Sequence, residues 1–178
     1  MTPLQTPPPE GKLLDANEYA QRHDDHIDFE EVCLEARLQC NLRILQRLQP
    51  RRVLEVGCGP VLLAERAWAQ GLLPERWTVV EPAHRYAQKA RDWAAGRAEV
   101  VVIENYIEHA QLAEADGLPT EAPCCDLVIV SGVIHETQAP EALLAAALAH
   151  LAPGGRLLVT VPNAHSFHRL LAVEMGLI

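Results

Sequence analysis

The segment Arg52-Val-Leu-Glu55-Val-Gly57-Cys58-Gly59-Pro-Val-Leu-Leu63 runs from apolar residues through two glycines into a helical pattern. It predicts a buried strand, a tight turn and the first turn of a helix. Glycine at Gly57 and Gly59 permits positive φ and removes the Cβ, so a nucleoside-containing ligand can lie against the main chain. Glu55 sets a carboxylate at the end of the strand, and the ligands of open α/β sheets sit outside the carboxyl ends of their strands. Negative charge there repels a pyrophosphate and attracts a cation.

Working outward, the same alternation recurs. Leu62 to Gln70 reads as helix, closed by Gly71, and Trp77 to Glu81 as a second short strand ending in an acid. Glu81 follows the glycine turn at close to the ~20 residues expected of a carboxylate that accepts hydrogen bonds from ribose hydroxyls. Pro82 to Ala95 reads as helix and the valine-rich Glu99 to Ile103 as a third strand. After a helix and loop over Ala110 to Pro123, Asp126-Leu-Val-Ile-Val-Ser131-Gly132 predicts a fourth strand entering a small-residue turn. Ala139 to Leu151 reads as helix, Pro153-Gly154-Gly155 as a tight turn, Arg156 to Val161 as the fifth strand, and Ala164 to Leu177 as a last helix.

Upstream, Leu34, Leu38, Leu42, Leu45 and Leu48 form one stripe of a helix over Phe29 to Leu48, ended by Pro50. Its charges, Arg37 among them, read as the solvated face. Residues 1–12 hold four prolines and read as a flexible leader. Residues 13–178 read as one α/β domain, a doubly wound, mostly parallel sheet with helices on both faces.

Glu55-Val-Gly57-Cys58-Gly59 resembles the first motif of class I S-adenosylmethionine (SAM) dependent methyltransferases, an acidic residue ahead of a G-x-G loop. The fourth-strand segment and Leu-Ala-Pro-Gly-Gly-Arg-Leu-Leu-Val-Thr-Val-Pro-Asn, ending at Asn163, are similar to later segments of the same family in the same order. The resemblance implies a Rossmann-like sheet of order 3-2-1-4-5 and SAM as cofactor, leaving S-adenosylhomocysteine (SAH). It also implies roles. Glu55 and the main chain around Gly57, Cys58, Gly59, Ser131 and Gly132 would hold the methionine end, and Glu81 beside Pro82 the ribose. Asn105, Tyr106 and Ile107 would enclose the adenine, and Tyr19 would face the cofactor from a lid over residues 13–28. His135, oriented by Glu136, is the expected base, with His23 or His26 reaching the substrate from the lid. Val61 stands where relatives carry a small residue, and its branched side chain would crowd the methionine end.

At 178 residues and 49% hydrophobic content, the chain is large enough to bury a core without disulfide staples. The net charge of −9 argues against broad capture of nucleic acid and leaves a small molecule as the expected partner. Five cysteines without zinc spacing imply no metal site and a reducing, cytoplasmic compartment, and no apolar stretch is long enough to span a membrane.

Two other readings stay open. A nicotinamide-dependent oxidoreductase shares the strand, glycine turn and later acid, but its G-x-G-x-x-G would put glycine where Leu62 stands. Family members usually continue with a further helix and an antiparallel hairpin. Their absence here implies a fragment, or a fifth-strand edge covered by a partner or a second copy. A methyltransferase-like binding protein without chemistry is the corresponding alternative.

Overall fold

The computed structural model describes residues 15–17, 27–112, 124–163 and 165–176. Among the described residues five strands, β1 (Arg52–Val56), β2 (Arg76–Val80), β3 (Val100–Ile103), β4 (Cys125–Ser131) and β5 (Leu151–Thr160), alternate with helices. These are α1 (Ile27–Leu48), α2 (Leu63–Ala69), α3 (His84–Ala94), α4 (Pro140–Ala149) and α5 (Phe167–Glu174), with a 3₁₀ turn at Ile107–His109. Every strand pair is parallel and the order is β3-β2-β1-β4-β5, as the family resemblance implied. The order reverses between β1 and β4, which opens a crevice at the carboxyl ends of the central strands.

Both faces of the sheet are covered, so β1, β2 and β4 read as nearly unbroken apolar runs. On one face Val53, Trp77, Val79, Leu127 and Ile129 pack with Leu38, Leu42 and Leu45 of α1, Ala64 and Ala67 of α2, and Tyr86 and Ala90 of α3. On the other face Leu54, Val56, Val80, Val128 and Val130 pack with Ile107 and with Leu143 and Ala147 of α4. Leu42 and Leu45 are each 1% exposed, and full burial of such a side chain contributes roughly 1.5–3 kcal/mol. That burial ties α1 to the sheet and fixes what its next turn presents to the crevice.

The boundaries differ from expectation in two places. Pro153-Gly154-Gly155 does not precede the fifth strand but lies within it, as an irregularity where the pairing register shifts between Cys125 and Leu127. A Cβ on Gly155 would sit 2.8 Å from the Cys125 carbonyl oxygen, so the glycine permits close strand approach rather than a turn. The last helix begins at Phe167 and not Ala164, because the Asn163 side chain accepts the His165 N–H at 3.0 Å and forms a local turn. Among the described residues no helix is long and apolar enough to cross a membrane.

Candidate functional site

The turn after β1 is held by two buried carboxylates. Gly57 (φ 71°) and Gly59 (φ 58°) both take the left-handed conformation the sequence anticipated. Glu55 Oε1 accepts the Leu63 N–H at 3.0 Å, satisfying a donor at the start of α2, and Oε2 accepts the Trp77 indole N–H at 2.9 Å. Glu81, at the end of β2, accepts the Gly59 N–H on Oε2 at 3.0 Å and the Ala83 N–H on Oε1 at 2.8 Å. Burial pushes the Glu55 carboxyl up to about 7, against the pull of the Leu63 and Trp77 N–H groups. Burial also raises Glu81, opposed by the Gly59 and Ala83 N–H groups. The Cys58 thiol between them is raised as well, by burial first and then by the two carboxylates.

Beside this turn lies a cleft of about 1050 Å³, including the part open to solvent. Its floor is Val56 to Pro60 and Val80 to Ala83. Tyr106, Ile107 and Glu108 of the 3₁₀ turn form one wall, and Ser131 to Val133 with Glu136 to Gln138 the other. Leu34 and Arg37 of α1 close it from above, with Ala16. Asn17 beside Ala16 accepts the His84 N–H at 3.1 Å, so the described part of the N-terminal segment is tied to the start of α3 at the edge of the cleft.

Of the expected residues, the structure brings together Gly57, Cys58, Gly59, Glu81, Pro82, Tyr106, Ile107, Ser131 and Gly132. Several details differ. Glu55 does not line the cleft; with both oxygens engaged by the protein, it builds the turn instead of facing a cation. Gly57 is not bare on its Cβ side, since a Cβ there would lie 2.5 Å from Val133 Cγ2, whereas a Cβ on Gly59 would meet nothing within 4 Å. The open backbone is therefore at Gly59. Asn105 is also outside the lining: its side chain accepts the Tyr106 N–H at 2.9 Å and donates to the His109 carbonyl at 3.2 Å, shaping the 3₁₀ turn. His135 is exposed at the rim, with Nε2 2.8 Å from Glu136 Oε1, and Glu136 is the member of the pair that lines the cleft. Val61 packs on the apolar core and does not crowd the cleft. Tyr19, His23 and His26 lie outside the described residues.

The residue that sequence reading missed is Arg37. A Cβ on Gly132 would sit 2.2 Å from Arg37 Nη1, so the guanidinium rests on that glycine inside the cleft. It has no hydrogen-bond or ion-pair partner among the described residues. Its position is set one turn further on, where Asn41 donates to Ser131 Oγ at 2.9 Å and Ser131 pairs with Thr160 at 2.8 Å. The signal was available: Arg37 and Asn41 fall on the stripe of Leu34, Leu38 and Leu45 at helical spacing, where a polar side chain is out of place. Among the described residues no group of three or more His, Cys, Asp or Glu is arranged to hold a metal ion.

Residues 20–177 match the family model described as methyltransferase domain. No curated sequence is close enough to count as a match. Among solved structures, the chain is similar to the N-methyltransferase NodS from Bradyrhizobium japonicum WM9 in complex with SAH, at 19% identity and TM-score 0.56, covering 82% of this chain and 72% of that one. It is also similar to the PH0226 protein from Pyrococcus horikoshii OT3, at 18% identity and TM-score 0.57, covering 84% and 63% respectively. The plantazolicin methyltransferase BpumL, crystallised with a desmethylPZN analogue and SAH, matches at 15% identity and TM-score 0.60, covering 90% of this chain and 56% of that one. At these identities the likeness is one of fold.

Proposed function

The chain belongs to the methyltransferase domain family, whose model spans residues 20–177, and on that premise we propose that it is a SAM-dependent methyltransferase acting on oxygen or nitrogen of a small molecule. The observation that carries the reading is the placing of charge in the cleft. A buried carboxylate, Glu81, and the guanidinium of Arg37, which has no partner among the described residues, both line it. SAM presents hydroxyls and a carboxylate, the complementary groups.

The residues present fit that cofactor. Glu81 lines the cleft, and its carboxylate is the acceptor there suited to ribose hydroxyls. Arg37 suits the methionine carboxylate by a charge-assisted contact. Tyr106 and Ile107 offer an apolar slot for the adenine, and the open main chain at Gly59 lets the ligand approach closely. When bound, SAM supplies a methyl carbon made electrophilic by the attached sulfonium. The chain's own task is alignment and the exclusion of water, and it requires few catalytic side chains.

The same geometry argues against a dinucleotide. A pyrophosphate needs N–H donors at the glycine turn and helix start, and here Gly59 N–H is bonded to Glu81 and Leu63 N–H to Glu55. An incoming diphosphate would meet the Glu81 carboxylate and no spare donor from either N–H. Titration calorimetry of the purified chain with SAM, SAH and NAD tests the reading. Binding of SAM and SAH without NAD is the expected result; binding of NAD, or of no nucleoside, would overturn it.

A further inference from the structure

A second cleft, of about 1020 Å³ including the part open to solvent, lies at the amino-terminal ends of β1, β2 and β4, across the sheet from the glycine turn. Cys124 and Cys125 line it side by side, and their sulfurs are 3.9 Å apart. Both are free thiols, Cys124 half-buried and Cys125 buried. Successive side chains of a regular strand point to opposite faces, so this closeness needs an irregular backbone. It is present: the Cys124 and Cys125 N–H groups both donate to the His150 carbonyl, at 3.0 and 2.9 Å, and the pairing register shifts between Cys125 and Leu127. The other three cysteines are placed differently. Cys33 and Cys40 are exposed on α1, two turns or roughly 10 Å apart along its axis, and Cys58 is buried in the glycine turn.

We propose that Cys124 and Cys125 form a bidentate dithiol site that takes a trivalent arsenical, RAs(OH)2, through both sulfurs. The site is separate from the cleft assigned to SAM. Spacing decides between a bridge and a bond. A disulfide needs sulfurs about 2.05 Å apart, so from 3.9 Å they would have to close by about 2 Å against a backbone fastened twice to His150. A soft atom bonded to each sulfur at roughly 2.3 Å, the zinc–sulfur distance, holds them roughly 3.5–3.8 Å apart at angles from ~100° to tetrahedral. That lies within a few tenths of an ångström of the spacing found. A metal ion asks for further ligands, and among the described residues no group of three His, Cys, Asp or Glu supplies them. The arsenical needs only two sulfurs, because its third valence carries the organic group, and the buried Val53 and Leu112 line the same cleft. Charge points the same way. Burial first, and then Cys124, raise the Cys125 thiol, with Arg52 pulling against them, so a lasting thiolate is disfavoured. The condensation leaves none: two S–H and two As–O bonds break, two As–S bonds form and two waters leave. Arsenic stays trivalent and the product is neutral. Cys124, the more exposed thiol, bonds first and Cys125 closes the ring.

The probe is phenylarsine oxide, which water hydrates to phenylarsonous acid, added to the folded full chain and followed by intact-mass spectrometry. One adduct per chain is expected, resistant to an excess of the monothiol glutathione and released by the dithiol dithiothreitol. The thermal midpoint of the adduct should be no lower than that of the free chain. Cys124→Ser and Cys125→Ala should each bind the probe roughly a hundredfold or more weakly, because the second sulfur attaches within the molecule. The double variant Cys33→Ser with Cys40→Ser should keep the adduct. No adduct on the wild-type chain, or one that glutathione strips, would overturn the proposal. So would a lowered midpoint, which would mean that the arsenical selects the unfolded chain, full binding by Cys125→Ala, or loss of the adduct in the double variant. The wild-type contrast between monothiol and dithiol stands alone, should Cys125→Ala fold poorly.

Discussion

The Trp77 indole N–H donates to Glu55 Oε2 at 2.9 Å, joining the first two strands through a side-chain pair buried beneath the glycine turn. The other oxygen of Glu55 takes the Leu63 N–H, so a single carboxylate sets both the indole and the start of α2. Its cost is a pH-dependent one. The folded pKa of about 7 lies above the usual 4.5, so the folded state binds this proton more tightly than the unfolded chain does. The stability contributed is full below about pH 4.5 and is lost as pH rises toward 7. Glu81, raised by burial, acts in the same direction. Glu75, lowered by Arg51, and Glu104, lowered by His84 and Arg91, titrate below that window. Urea unfolding between pH 5 and 8 should therefore show a net fall in stability, on the order of 2–3 kcal/mol from the carboxyls, offset in part by His150, which burial lowers and whose contribution grows as pH rises. The fall should be smaller in Glu55→Gln; a flat wild-type profile would contradict the burial argument.

The contact between Gly57 and Val133 makes a separate prediction. Alanine at 57 would meet Val133 Cγ2 at 2.5 Å in a backbone at φ 71°, and the two penalties together come to roughly 2–4 kcal/mol. Val133→Ala removes the clash and leaves the backbone strain. In a double-mutant cycle read by thermal unfolding, Gly57→Ala should therefore cost at least about 1 kcal/mol less in the Val133→Ala background. Additive costs would mean that the glycine is required for its backbone alone.

How far the sequence was legible follows from what each signal depends on. The alternation of elements and the left-handed glycines follow from local patterns that agree with the fold, whereas the strand order comes from the family resemblance. What failed was direction. Glu55 and Asn105 stand at the right places in the chain, but Glu55 is turned to the Leu63 N–H and to an indole that only the folded sheet brings near, and Asn105 to the Tyr106 N–H and the His109 carbonyl of its own 3₁₀ turn. Pro153-Gly154-Gly155 carries every mark of a turn and is nonetheless a strand, because pairing with β4 outweighs local preference. His135 and Glu136 are adjacent, and which of them faces the cleft depends on the turn pinned by Val133, a contact with residues far earlier in the chain.

Glu81 and Glu55 should separate by readout although both are buried acids. Glu81 lines the cleft and Glu55 does not, so Glu81→Gln should weaken SAH binding by roughly 10- to 100-fold, the equivalent of about 1.5–3 kcal/mol for a hydrogen-bonding carboxylate. Glu55→Gln should act mainly on stability. Calorimetry paired with thermal unfolding of both variants makes the comparison. An unchanged SAH affinity in Glu81→Gln would leave that residue as a brace for Gly59 and nothing more.

Arg37 allows the sharpest ligand test, because its assigned partner can be removed from the ligand. The guanidinium lies on Gly132, and α1 is held there by Asn41 on Ser131 Oγ, so the charge can be deleted without moving the helix. Arg37→Met keeps the apolar stem over the cleft and removes only the cation. SAH should then bind roughly tenfold or more weakly, as expected for loss of a charge-assisted contact worth about 1.5–3 kcal/mol. Adenosine, which lacks the amino-acid end, should bind both proteins within twofold. Equal losses for the two ligands would show that Arg37 supports the cleft generally; a loss confined to SAH assigns it to the methionine carboxylate.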